Sequence, residues 1–224
     1  MSQELTFKQQ YMVWYDSTDR KDLTKRFMDL LQSINRDNIA ELIHELYIKT
    51  HEKYVKILND QKCQALTFFD QPASTKFHGA TFGGLVKHSL QVYDNFMKFV
   101  PIIEDRYHVA ISMETIIIAT LLHDLCKWNL YVPKVTLKGF FDGRGAWGYD
   151  DEFPVGHGEK SIAVIQKYID LTETEMLLIR WHMGPFDHMW QWGSTAKNVK
   201  DVIPWIDFMY LADHLASVME GIDD

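Results

Sequence analysis

Cysteine is scarce in this chain, with Cys63 and Cys126 the two present in 224 residues. A single pair makes no disulfide framework, so a reducing cytosolic compartment is the expectation and disulfide-stapled folds are excluded. Long apolar runs are also missing. The most apolar stretch, about Ile116 to Leu122, is far too short to span a bilayer. The opening MSQELTFKQQ lacks a basic region followed by an apolar one, so no signal peptide is expected. Positive charge is not in excess: the formal net charge is −8 and the pI is near 5.6. Duplex binding relies on many Lys and Arg contacts to phosphate, which argues against a nucleic-acid-coating surface. A small anionic substrate stays open, because divalent cations turn a locally acidic cleft into an anion trap. Internal repeats and low-complexity tracts are absent.

What is present supports a folded domain. Hydrophobic residues make up 46% and aromatics 13%, enough to bury a sizeable core. The length fits one domain with an N-terminal extension, divided at about residues 1–75 and 76–224. Residues 1–17 show no clear period and read as a poorly specified arm. Leu23, Phe27, Leu30 and Leu31 predict a helix from about Arg20 to Ser33. Asn38 followed by Glu41 reads as a capping box opening a helix with Ile39, Leu42, Ile43 and Leu46 inward. His51 to Leu58 reads as its continuation, and 59–83 as a turn-rich connector. Further helices are expected over about 84–99, 112–128, 158–169, 173–183 and 201–219. Between Tyr131 and Phe153, β-prone residues flank Asp142-Gly143-Arg144-Gly145, the signature of a two-stranded flap. The expected fold is all-α, a helical bundle with a small hairpin insertion.

The chemistry lies in a dispersed set of histidines and aspartates. His88 shares a helix face with Leu85, Val92 and Phe99 and so points inward. His123 and Asp124 follow the apolar run with Ile116, Ala119 and Thr120. Asp213 shares a face with Ile206, Met209 and Tyr210, where a bare carboxylate costs roughly several kcal/mol unless paired or metal-bound. His157 opens a helix, and His182 ends one beside Leu178 and Ile179, just before a glycine. Each histidine taken alone reads as a hydrogen-bonded core residue, and His44, His51, His108, His188 and His214 need no special role. The conjunction of four imidazoles and two carboxylates is what suits two first-row divalent ions, with Asp124 placed to bridge.

The words around these residues, GGLVKHS, LLHDLCK, VGHGEKS, IRWHMG and YLADHLAS, resemble in order the motifs of the HD superfamily of metal-dependent phosphohydrolases. The resemblance covers about residues 72–219. PASTKFH with GGLVKHSL is similar to the HD hydrolases of bacterial and phage genomes, which implies the cytoplasm of a bacterium or of a phage's host. His157 and His182 imply the binuclear subgroup. By that resemblance His88, His123, Asp124 and Asp213 hold one metal, and Asp124, His157 and His182 the other, with manganese, iron, cobalt or zinc equally suited. The glycine-tyrosine-proline signature of cyclic di-GMP phosphodiesterases is absent after the HD pair, where HDLCKWNLYVPK stands.

The implied activity is hydrolysis of a nucleotide or related small phosphoester by a metal-activated hydroxide, with Asp124 and Lys127 catalytic. Lys127 follows His123 by four residues and matches the lysine that often follows the HD pair, so it would stabilise phosphoryl charge; otherwise it is a surface lysine at a helix end. His78 would contact substrate and protonate a leaving group, or else caps a turn. The hairpin, with Lys134, Lys138, Arg144, Phe140, Phe141 and Trp147, would close over a nucleotide, Arg144 on phosphate, or else forms an oligomer contact or a solvated surface. Trp190 and Trp192 either line the rim or simply pack. A homo-oligomer is compatible with this reading. The ligand set alone also fits a di-iron oxygenase of the inositol oxygenase type, and a third reading is an inactive nucleotide-binding module.

Overall fold

Four of the described α-helices begin where a hydroxyl takes over an orphaned backbone donor. In the computed structural model, which describes residues 4–48, 66–136, 147–187, 197–199 and 203–222, the side chains of Thr6, Ser17, Ser112 and Thr172 accept from the N–H three residues on. They open α1 (Phe7–Asp16), α2 (Thr18–Gln32), α5 (Met113–Leu122) and α7 (Glu173–Trp181). Between and after these lie α3 (Ile39–Leu46), α4 (Gly84–Tyr107), α6 (His157–Ile165) and α8 (Trp205–Ile222). The expected all-α fold is observed. Strands β1 (Tyr131–Pro133) and β2 (Trp147–Tyr149) pair antiparallel, Val132 opposite Gly148. The turn with Arg144, and Lys138, Phe140 and Phe141, lie outside the described residues. So do the stretch His51 to Leu58, and Trp190 and Trp192.

Three sequence expectations are corrected. Residues 7–16 are a helix rather than an arm, because Thr6 and Gln9 form a reciprocal capping box and Phe7 and Tyr11, one turn apart, are both buried. Asn38 does not form a capping box: it adopts φ 61° and makes no side-chain cap bond, its carbonyl accepting from Glu41 and Leu42 instead. The helix expected over 112–128 stops at Leu122, and a separate 3₁₀ turn runs from Leu125 to Asn129.

One core joins α2 to the later helices, with Phe27 and Leu31 meeting Leu85, Phe96, Ile118, Ile165, Leu178 and Met209. Arg36 links the same segment to α5 and α7, its guanidinium lying 2.6 Å from Glu114 and 3.0 Å from the fully buried Glu175. Helix α8 packs along α4 through Phe96 on Trp205 and Phe99 on Phe208, with Asn95 donating to the carbonyl of Ala212. A smaller cluster of Phe7, Tyr11, Leu66, Leu130, Tyr131 and Trp147 fastens α1 to the hairpin. Among the described residues, no helix is long and apolar enough to cross a membrane.

Candidate metal centre

The six residues picked out by the sequence come together where α4, α5, α6, α7 and α8 meet. Two glycines allow this. A Cβ on Gly84 would lie 1.9 Å from the carbonyl oxygen of Gly79, so the connector sits tight on the start of α4, one turn before His88. A Cβ on Gly158 would lie 2.6 Å from the carbonyl oxygen of Arg180, so α6 and α7 touch backbone to backbone beside His157 and His182.

Asp124 stands at the centre. Its Oδ2 is 3.4 Å from His123 Nε2 and 3.7 Å from His88 Nε2, and its Oδ1 is 2.6 Å from His157 Nε2 and 3.6 Å from His182 Nε2. Asp213 Oδ1 lies 2.8 Å from His88 Nε2 and 3.6 Å from His123 Nε2. His88, His123 and Asp124 therefore make one compact triad, and Asp124, His157 and His182 a second, with ligand atoms in each within 4.8 Å of one another.

Two imidazoles are held in a defined state. His123 Nδ1–H donates to the carbonyl of Thr120 at 2.8 Å, and His182 Nδ1–H to that of Ile179 at 2.6 Å. Each Nε2 is buried without a hydrogen-bond partner. Leaving a polar atom so costs about 1–3 kcal/mol, which a cation bound there would offset. Backbone-anchored Nδ1 with Nε2 presented inward is how metal-ligating histidines are oriented. The donor set of imidazole nitrogen and carboxylate oxygen fits a divalent transition metal.

The carboxylates raise the proton affinity of two of these histidines. Burial opposes a charge on His123, but Asp124 and Asp213 outweigh it and raise its pKa to about 10. Burial likewise opposes charge on His157, where Cys126 and Asp124 raise it to about 10. His182 is pushed down by burial. Burial disfavours the charged form of Asp124, yet Lys127, His123 and His157 hold it well below the usual carboxylate range.

Lys127 is buried and not a surface lysine: its Nζ donates to Asp124 Oδ2 at 2.6 Å. The break after α5 makes that contact, since the 3₁₀ turn folds Lys127 back over Asp124. His78 lies with its ring 5.1 Å from that of His88, beside Ser217 Oγ at 3.5 Å, and burial with the charges of His88 and Lys127 lowers its pKa to about 4. His44 and His108 sit elsewhere, in α3 and at the end of α4.

A cavity of about 670 Å³ opens on Asp124, Lys127, His157 and Asp213. Its walls include residues that the sequence reading passed over: Tyr131, Tyr149, Phe186, Tyr210 and His214. Tyr210, His214 and Ser217 recur at helical spacing beside Asp213, a signal that was available.

Over 98 residues, 44% of the chain, the sequence is 29% identical to the dihydroneopterin 2',3'-cyclic phosphate phosphodiesterase of Methanocaldococcus jannaschii. The match spans 36% of that protein's length. No family model and no solved structure matches the chain. The site is thus a buried histidine–aspartate cluster suited to metal, in a chain similar to a phosphodiesterase.

Proposed function

We propose that this protein is a binuclear metal-dependent phosphohydrolase of the HD superfamily, acting on a small phosphorylated substrate such as a nucleotide. The observation that carries this reading is Asp124, whose two oxygens each face a different pair of histidines. One ion would be held by His88, His123, Asp124 and Asp213, the other by Asp124, His157 and His182. When bound, two such ions supply Lewis-acid activation of water and neutralise phosphoryl charge. In the reaction the water oxygen bonds to phosphorus, one P–O ester bond breaks, and the leaving oxygen takes up a proton. Lys127, charged and at the cavity floor, steadies the negative charge that grows on the phosphoryl oxygens. Burial lowers the pKa of His78 to about 4, and beside the cluster it would orient the ester or a water by hydrogen bonding. Residues 76–224 form the catalytic unit and 1–75 an extension that braces it. The name of the M. jannaschii relative favours a cyclic phosphodiester over a diol oxidised with oxygen.

The test is metal analysis of the purified protein together with a screen of cyclic and linear nucleotides after adding manganese, cobalt or iron to chelated protein. Two ions per chain and metal-dependent release of a phosphomonoester are expected. Oxygen consumption without hydrolysis, or a chain that takes up no metal, overturns the proposal.

A further inference from the structure

Large aromatic rings left in water singly are unremarkable, but three of them border the same cavity. Phe77, Tyr149 and Phe186 are 68%, 62% and 67% exposed and all line the space above Asp124 and Lys127. Behind two of them stand rings that hold position. His214 stacks on Tyr210 at 5.7 Å and 22°, and Phe186 lies 6.3 Å from His214 tilted by 31°, so three rings follow one another along one wall. Tyr210 is fixed by Gly184, whose φ is +50° and where a Cβ would lie 2.5 Å from the Tyr210 ring. Tyr149 rests edge-on against buried Tyr131 at 5.9 Å and 69°. Flat rings offered to a cavity on a rigid backing stack a flat ligand with little loss of side-chain freedom.

Charge sets the other end of the ligand. Among the described residues that line the cavity, Lys127 is the one lysine or arginine, while Asp124 and Asp213 are both carboxylates. With divalent ions on those carboxylates, this end of the cavity would take a phosphoryl group. A volume of about 670 Å³ suits a small-molecule ligand.

We infer that the cavity selects a phosphoester on a planar heteroaromatic scaffold, held by Tyr149 and Phe186 with His214 and Tyr210 behind. This names the substrate class of the site and rests on its reading as a phosphohydrolase. The clamp sets affinity, whereas the histidine–aspartate cluster and Lys127 act on the phosphorus.

The experiment compares two five-membered cyclic phosphodiesters on manganese-loaded protein, adenosine 2',3'-cyclic phosphate and glycerol 1,2-cyclic phosphate, which lacks the ring. The adenosine ester should have the lower KM by on the order of tenfold or more. Phe186→Ala and Tyr149→Ala should each raise that KM with little change in kcat, bringing the kcat/KM ratio of the two esters toward one, and Phe186→Tyr should keep the ratio. Equal KM values for the two esters, or a ratio untouched by either alanine, overturn the clamp and leave hydrolysis standing. If neither ester is hydrolysed, the phosphohydrolase reading fails, and calorimetric binding of the same two intact esters decides the clamp separately. A tenfold preference for adenosine that Phe186→Ala abolishes keeps it, and equal binding removes it.

Discussion

The two triads around Asp124 share a carboxylate and differ in nearly everything else. His88 and His123 are fully buried, sit on or at the end of the long α4 and the largely apolar α5, and have Asp213 as a second carboxylate within 3.6 Å. His157 and His182 come from two nine-residue helices, the His157 side chain is 26% exposed, and Asp124 is the one carboxylate of that triad. More carboxylate and more burial mean a stronger and slower-exchanging ion site, so the α4–α5 triad should hold its metal tightly and the α6–α7 triad should load last. The asymmetry follows from packing: the first triad is built into the main core, the second at its edge.

Removing the shared residue should abolish the distinction altogether. Asp124→Ala is expected to lose both ions and to lower turnover on the order of 10³-fold, read by metal analysis and steady-state kinetics. It also strands the buried Lys127 ammonium, a loss of about 3–5 kcal/mol visible in urea unfolding. Asp124→Asn should spare more stability and still lose metal.

Gly158→Ala should separate the triads. The added methyl forces α6 from the Arg180 carbonyl, costs about 1–3 kcal/mol, and should reduce the metal content from two ions to one. Two ions bound with unchanged affinity would show that the close approach of α6 to α7 is not what builds the second triad. His157→Ala should do the same to metal content with less loss of stability, because its side chain is partly solvated.

The last effect concerns pH. In chelated protein His123 and His157 hold protons with pKa values of about 10 against 6.5 in an unfolded chain. Their raised values stabilise the fold fully below about pH 6.5, and that contribution is lost as pH rises through about 10. Melting temperature of chelated protein should therefore fall over that window, while manganese, which replaces those protons, should flatten the decline. A chelated protein that gains stability across the same range contradicts the assignment of these histidines.

The ligand residues were legible in the sequence because each carries its own local signal. His88 and Asp213 lie on otherwise apolar helix faces, and His157 and His182 flank helix ends. Helix α1 was equally legible in Phe7, Tyr11 and Trp14 at positions one turn apart, but a short period in a polar-aromatic segment is easily passed over. The stop after Leu122 left no such trace. The apolar run leads straight into His123 and Asp124, and only Asp124 at φ −103° and ψ 19° ends the α-helix. Nor does a sequence distinguish a ring that faces solvent from one that faces a cavity, which is why Phe186 and Tyr149 went unread and His214 was set aside as needing no special role.

What the order of residues picked out alone was a set of metal-ligand-type side chains and the helices that carry them, since burial periodicity and residue type are local properties. Tertiary structure decided that one carboxylate serves both histidine pairs, that Lys127 is buried against it, and that aromatic rings from three distant segments enclose one space. Those facts are distances between elements far apart in the chain. They depend on how closely backbones can approach at Gly84 and Gly158, a property of packing that no single segment contains.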